Sequence, residues 1–318
     1  MGLVGQKQML VTQSETALRC NILPTRALFA VRGQLGLCLA IATLGAACTN
    51  AYRQPAGEEA QASFQATSSQ ADQSSASEPD DRFIREILEN HFEVAQTLLE
   101  EGAHIDGPDS LGRTALTMAS ADGNSEAVEW LLTHGAAVNA PDGAGRTPLM
   151  AASTYYGTAE ITELLLNHGA LLSAPNPGYA DALYLAIETE RIQTAQVLIA
   201  AGGTLDAGKL IAAARARNID MIRLLLASGA DVNASLPDGL TPLIESTMFN
   251  DVEAVNVQLE AGADANAVTT NDSVIKIMRA SGADESIIRS TGVTALMLAK
   301  QNGNEDLVRR LRDAGARR

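Results

Sequence analysis

Asp142-Gly143-Ala144-Gly145-Arg146-Thr147-Pro148-Leu149-Met150-Ala151-Ala152 is the stretch from which the rest of this 318-residue chain can be read, because its pieces return in phase along most of the sequence. Asp238-Gly239-Leu240-Thr241-Pro242-Leu243 repeats its core. Leu116, Leu149, Leu183, Leu210, Leu243 and Leu296 recur as anchors, and Phe83 extends the series one step N-terminally. Each anchor stands 19 or 20 residues before Gly102-Ala103, Gly135-Ala136, Gly169-Ala170, Gly202-Gly203, Gly229-Ala230, Gly262-Ala263 or Gly315-Ala316. Self-similarity at a period of about 33 residues means units too small to bury their own apolar faces, which must stack on their neighbours.

Each piece has a local physical reading. Thr147 and Thr241 are placed to cap a helix, with Pro148 and Pro242 in the first turn, where no backbone donor is missed. Ala119, Ala152, Ala186, Ala213 and Ala299 are small enough for neighbouring helices to approach closely. A second helix per unit carries apolar residues at helical spacing, as in Val128, Leu131 and Leu132, Ile161, Leu164 and Leu165, or Ile222, Leu225 and Leu226. A glycine after its last turn provides the left-handed stop. Asn139, Asn233 and Asn266 fall in the turn that follows.

These stretches resemble the ankyrin repeat, with its turn glycine, Thr-Pro-Leu-His opening an inner helix, and an outer helix ending in Leu-Leu-x-x-Gly-Ala. The resemblance covers roughly residues 81–318. It implies an all-α ankyrin-repeat solenoid of about seven helix-turn-helix units. The family's His after Leu is missing throughout: Thr117, Met150, Tyr184, Ile211, Ile244 and Met297 stand there, so the network between finger loops must be weaker or differently built. The Leu183–Leu210 interval, 27 residues, removes most of one finger loop, and the Leu243–Leu296 interval, 53 residues, adds an insertion of 20. Within that insertion, about 268–290, Asn271-Asp272-Ser273 offers a cap and Val274, Ile277 and Met278 share one helical face, with Gly282 as a stop and Ile287-Ile288 beyond it. Such a helix either folds onto its own solenoid or projects as a partner-binding arm. Glu86 in the first unit and Arg309, Arg310 and Arg312 in the last mark polar caps, so the array is expected to be complete.

Residues 33–47 are uncharged and apolar behind Arg26 and Arg32, short for a membrane span and suited to a signal segment. Leu44-Gly45-Ala46-Ala47-Cys48 resembles a bacterial lipobox, which implies lipid attachment at Cys48; an ordinary small-residue cleavage site is the alternative. Thr49 after the Cys implies an outer-membrane lipoprotein facing the periplasm, the alternative being a secreted or periplasmic soluble protein. The stretch before Arg26 is long for such a segment, so translation from Met9 or a later start is an alternative, and Gln6 argues against myristoylation. Residues 49–80, rich in Gln, Ala and Ser, lack apolar periodicity and read as a flexible tether. The expected domains are therefore 1–48 signal, 49–80 linker and 81–318 repeats.

Net charge is −15, and removing residues 1–48, which carry Lys7, Arg19, Arg26 and Arg32 against Glu15, leaves the rest more acidic still. That excludes a phosphate-binding footprint and nucleic acid, and suits a basic protein or peptide. Cys20, Cys38 and Cys48 are the only cysteines, so the mature chain has no internal disulfide. His134 and His168 precede Gly at outer-helix ends, where partial positive charge favours the dipole. His91 and His104 complete the set, and with no carboxylate or Cys at ligand spacing no metal site is expected. No Ser-His-Asp, Walker or dinucleotide pattern occurs, so neither an enzyme nor a small-molecule substrate nor a cofactor is expected.

Ankyrin arrays bind through loop tips and the exposed ends of inner helices. Carried onto this chain, those positions include Ser110, Leu111, Thr154, Glu188, Arg215 and Asp238. Arg113, Asp122, Arg146, Tyr155, Tyr156, Leu240, Met248 and Phe249 are the favoured partner-binding residues, with Ile277 and Met278 if the insertion is an arm, since aromatic and Arg anchors dominate interface energies. The alternatives are that one Tyr of the pair fills a helix-turn bulge and that one of Met248-Phe249 packs beneath the next turn. The resulting expectation is a membrane-tethered, non-catalytic protein-interaction module of the bacterial envelope. Its alternatives are an immunity-type protein occluding a toxin, an envelope stress-protection or chaperone-like factor, and, against the lipobox, an effector exported to a host cell.

Overall fold

Inner helices of this chain start at short polar residues that accept a hydrogen bond from the backbone three positions on. Thr114, Thr147, Asp181, Asp206, Thr241 and Thr294 do so in turn, each satisfying a donor left open at a helix start. The computed structural model describes residues 77–154, 156–173, 181–280 and 292–317. The stretch that resembles a lipobox, Cys48, Tyr155 and the 281–291 part of the insertion lie outside them, as does most of the 49–80 segment.

Fifteen helices and two short strands occur among the described residues. The inner helices are α1 (Ser77–Leu88), α3 (Ala115–Asp122), α5 (Pro148–Ala152), α7 (Ala182–Glu188), α9 (Ala207–Arg215), α11 (Pro242–Met248) and α14 (Ala295–Gln301). The outer helices are α2 (Phe92–Glu100), α4 (Ser125–Thr133), α6 (Ala159–Asn167), α8 (Ile192–Ala200), α10 (Ile219–Ala227), α12 (Val252–Glu260) and α15 (Glu305–Asp313). The insertion supplies β1 (Val268–Thr269), α13 (Asp272–Ala280) and β2 (Val293–Thr294). Each inner helix packs on its own outer helix and on the next inner helix. The register holds across the insertion, because α11 packs directly on α14 and α12 on α15.

The anchors are buried as the period requires, as are Ala119, Ala152, Ala186, Ala213 and Ala299 on the inner helices. Outer helices stop at a left-handed glycine, for example Gly135 at φ 90°. The first helix begins at Ser77, four residues inside the stretch read as tether, and Asp80 within it is buried, accepting from the His104 backbone at 2.7 Å. In the last unit the exposed Asp306 carboxyl lies below its ordinary range because Arg310 donates to it at 2.8 Å, with Arg309 beside it.

Asparagines tie neighbouring turns of the stack together. Asn139 Nδ2 donates to the Gly169 carbonyl at 3.0 Å while its Oδ1 accepts from the Leu171 N–H at 2.8 Å. Asn233 makes the same pair with Gly262 and Asp264, and Asn266 with Gly315 and Arg317 across the insertion. The first two full fingers also touch backbone to backbone: Gly143 N–H donates to the Gly112 carbonyl at 2.5 Å, a distance no side chain at either position would allow. At the shortened finger Lys209, almost fully buried, takes over: its Nζ meets Asp206 at 2.7 Å, Asp181 at 2.9 Å and Thr204 Oγ1 at 3.2 Å. Burial alone would lower the Lys209 pKa, but the two carboxylates outweigh it and hold the ammonium above its usual range.

Candidate partner-binding surface

Two edges of the stack carry the favoured residues, and an inner helix separates them. Arg113 precedes α3 and Asp122 ends it, so the finger edge and the turn edge lie about 12 Å apart at 1.5 Å per residue over its eight residues.

On the finger edge the arginines are turned back on their own loops. Asp109 accepts the backbone N–H groups of Leu111 and Arg113 through Oδ1, while Arg113 Nε and Nη2 meet Oδ2 at 2.7 and 2.6 Å. Asp142 holds Ala144 and Arg146 in the same way, with Arg146 Nη2 at 2.9 Å. Burial pushes the Asp109 carboxyl up, but the bonds from Arg113 and Leu111 prevail and hold it below its ordinary value. The Arg113 and Arg146 side chains stay 40% and 43% exposed, so each can still present one guanidinium face while it staples a finger. Leu240 occupies the equivalent position in the later finger and is buried, packing with Ile211, Leu243 and Val293. The expectation that Leu240 meets a partner is corrected: it stands where two earlier fingers have Arg113 and Arg146, and it is buried in the cluster that also holds Val274 and Val293 of the insertion, which covers that side.

On the turn edge Asp122 is exposed and Tyr156 is 74% exposed. They sit on neighbouring turns, since a Cβ at Gly123 would run into the Tyr156 carbonyl. Thr189 Oγ1 donates to the Ser153 carbonyl and Arg191 Nε to the Thr154 carbonyl, continuing this edge into the next unit. Met248 and Phe249, at the end of α11, are half-buried, Met248 against the apolar cluster of the last units. In the insertion, Met278 is buried with Val274 and Ile277 is half-buried, so α13 packs on its own solenoid and the projecting arm is corrected. Its start is capped as expected: Asn271 Oδ1 accepts from Ser273 and Val274.

Sequence reasoning passed over Leu171, 62% exposed in the finger after Gly169-Ala170, and ranked Leu111, 71% exposed at its finger tip, below the arginines. The available signal was a large apolar residue between turn formers, where other fingers have small or polar residues.

The histidines behave as structural groups, with one correction. His134 Nδ1–H donates to the Trp130 carbonyl at 2.7 Å and its ring stacks on the indole, which in turn stacks on Phe92; His168 Nδ1–H donates to the Leu164 carbonyl at 2.9 Å. Glu86, Glu89 and His91, however, bring their ligand atoms within 4.8 Å of one another, so carboxylates do come to ligand distance of a histidine. Asn90, at φ 60°, folds the chain back between them, which linear spacing does not register. The hydrogen bond from His91 Nδ1 to Glu86 at 3.0 Å accounts for the grouping.

Glu245 is the most deeply buried carboxyl on the inner helices, 2.7 Å from Arg215 Nε. Burial raises its pKa, Arg215 offsets this in part, and the Asp238 carboxylate adds to the rise. No described helix is long and apolar enough to cross a membrane.

Comparisons with known proteins agree with this geometry. The family model for ankyrin repeats in many copies matches residues 82–132 and 210–257, and that for the single ankyrin repeat matches 144–177. The ankyrin repeat domain of human ASB11 superposes with a TM-score of 0.59 at 20% identity, covering 74% of this chain and 98% of that one. The ankyrin repeat domain of Bcl-3, described as a unique member of the IkappaB protein family, does so with a TM-score of 0.59 at 24% identity, covering 72% and 97%. Comparison with curated proteins gives no match. The fold is an all-α ankyrin-repeat solenoid, and the comparisons support the ankyrin-repeat family. That fold is typically a non-catalytic scaffold for protein–protein interaction.

Proposed function

We propose that this chain is a membrane-tethered module of the bacterial envelope that binds a partner protein without catalysing a reaction. The observation that carries the binding role is the exposure of Leu111, Tyr156 and Leu171 on the edges of a stacked array whose fingers are braced from within. Large apolar residues held in water on a rigid scaffold offer anchors to a partner, and the acidic balance of the chain favours a basic partner surface. The address rests on the sequence of residues 33–48: an apolar segment behind Arg32, then small residues before Cys48, whose lipidation would fix the chain to the outer membrane facing the periplasm. An immunity-type role against a basic toxin would use the same surface and the same charge.

Photo-crosslinking groups placed at Leu111 and Tyr156 of the full chain, expressed in intact cells, test the binding role. One discrete crosslinked partner at both positions supports it; crosslinks spread over unrelated abundant proteins, or none at all, overturn it. Radiolabelled palmitate tests the address: incorporation that Cys48→Ser abolishes supports anchoring, and wild-type protein that never takes up label rules it out.

A further inference from the structure

The first and last units carry opposite charge on the faces that no neighbouring unit covers. Bonds between units show which positions face backward and which forward. The residue six after an anchor reaches back to the residue four after the preceding anchor: Thr189 Oγ1 donates to the Ser153 carbonyl at 3.0 Å and Asn302 Nδ2 to the Thr247 carbonyl at 3.1 Å. The second residue of an outer helix likewise faces the fifth residue of the one before, as Glu253 meets Arg223 at 4.0 Å. In the first unit these backward-facing positions are Glu89 and Glu93, and both are exposed. Val94 beside them is 38% exposed, although every later unit buries the third residue of its outer helix, from Ala127 to Leu307. In the last unit the forward-facing positions hold cations. Lys300 is exposed where Ile87, Ser120, Ser153, Ile187, Ala214 and Thr247 are buried, and Arg309 is exposed at the fifth position of α15, leaning on Asp306 of its own helix. Around them, residues 80–101 hold seven carboxylates against two arginines, and residues 300–318 hold five arginines and a lysine against three carboxylates.

We propose that the first unit of one copy docks on the last unit of another, so that a second copy of this chain continues the stack end to end. Carrying the internal spacing across the junction sets Glu89 against Lys300 and Glu93 against Arg309 of the neighbouring copy, with opposite charge at both places. It also gives Val94 the covering unit that its counterparts have. Polar end units ordinarily keep a solenoid from growing. Two ends of one sign would do so by repulsion, whereas these two attract and steer each other into line. Exposed ion pairs contribute little each, so the junction is a weak one that forms at high local concentration and responds to salt. The contact is heterologous, using a different face on each copy, and it therefore propagates along a row instead of closing at a dimer. It rests on the stacked fold alone, so the crosslinks at Leu111 and Tyr156 can fail without touching it.

Sedimentation velocity of the full-length chain in a non-ionic detergent, over a concentration series at low salt, tests this. Wild type should sediment faster as its concentration rises, and about 1 M salt, where screening acts within about 3 Å, should disperse it. Glu89→Lys with Glu93→Lys, and separately Lys300→Glu with Arg309→Glu, place like charges at the junction, so each variant alone should sediment as single copies. An equimolar mixture of the two should associate again, because every end then meets its opposite. Wild type that stays a single copy at every concentration overturns the proposal. So does association that persists unchanged in both variants, which contacts elsewhere or shared micelles would give, and so does a mixture that fails to associate. Circular dichroism and melting verify that each variant keeps its stack; if a double substitution unfolds, Glu89→Lys and Lys300→Glu alone make the same comparison with a smaller loss.

Discussion

Gln258 stands where the other outer helices have Leu98, Leu131, Leu165, Leu198, Leu225 and Leu311, and it is fully buried. Its Nε2 donates to Ser246 Oγ at 2.9 Å, and Ser246 itself replaces the alanine of Ala119, Ala152, Ala186, Ala213 and Ala299; the Gln258 Oε1 finds no partner. Restoring the pattern with Ser246→Ala and Gln258→Leu removes that orphan acceptor together with its companion hydroxyl. The double variant should gain about 1–3 kcal/mol in chemical denaturation, and unchanged or lower stability would show that the polar pair is accommodated at no cost. Glu245 makes a second prediction, with a definite sign. Its pKa is raised on folding, so the folded state holds its proton where the unfolded chain has released it, and stability falls as pH rises from the ordinary value of 4.5 through the folded pKa. Glu245→Gln should therefore be more stable than wild type at neutral pH, with the gap closing on acidification toward 4.5, at a slope no steeper than about 1.4 kcal/mol per pH unit. Melting both proteins from pH 4.5 to 8 checks this; a gap that widens on acidification would mean that Arg215 holds the carboxylate more firmly than burial penalises it.

Asn139, Asn233 and Asn266 each tie their turn to the next with two hydrogen bonds. Asn139→Ala severs both bonds at an exposed position and should cost about 1–2 kcal/mol. Hydrogen exchange should speed up at the Leu171 amide, and a variant that left that amide protected would refute the ladder. The helix pairs were legible in the sequence because Thr-Pro-Leu, the small Ala and the terminal Gly each act within a few residues. The later ends of the candidate surface were less so. Arg113 and Arg146 look like free anchors in a sequence, since nothing there says that Asp109 and Asp142 fold back to meet them. The apolar stripe of α13 was visible, whereas the surface it covers depends on how units far apart in sequence stack. Leu240 was misjudged for the same reason. An apolar residue in a finger reads as exposed until the insertion is placed over it.

The stack is held by two apolar clusters rather than one. The first runs from Phe83 to Val257 and contains Leu149; the second joins Ile211, Leu243, Val274, Leu296 and Leu311. Gln258 and Ser246 lie in the sixth unit, whose outer helix gives Ala254 and Val257 to the first cluster and Val255 to the second. In a solenoid, stability is close to a sum of unit and neighbour terms, so damage should stay near where it is made. Leu149→Ala, at an anchor only 1% exposed, removes a side chain shared between units and should cost roughly 2–5 kcal/mol. Native-state hydrogen exchange of wild type and Leu149→Ala, read helix by helix, tests the stacked-repeat account most directly. The expected result is a loss of protection centred on α3 to α8, with α14 and α15 keeping their wild-type rates. An equal loss in every helix, including α14 and α15, would contradict it, because the chain would then be opening as one cooperative body.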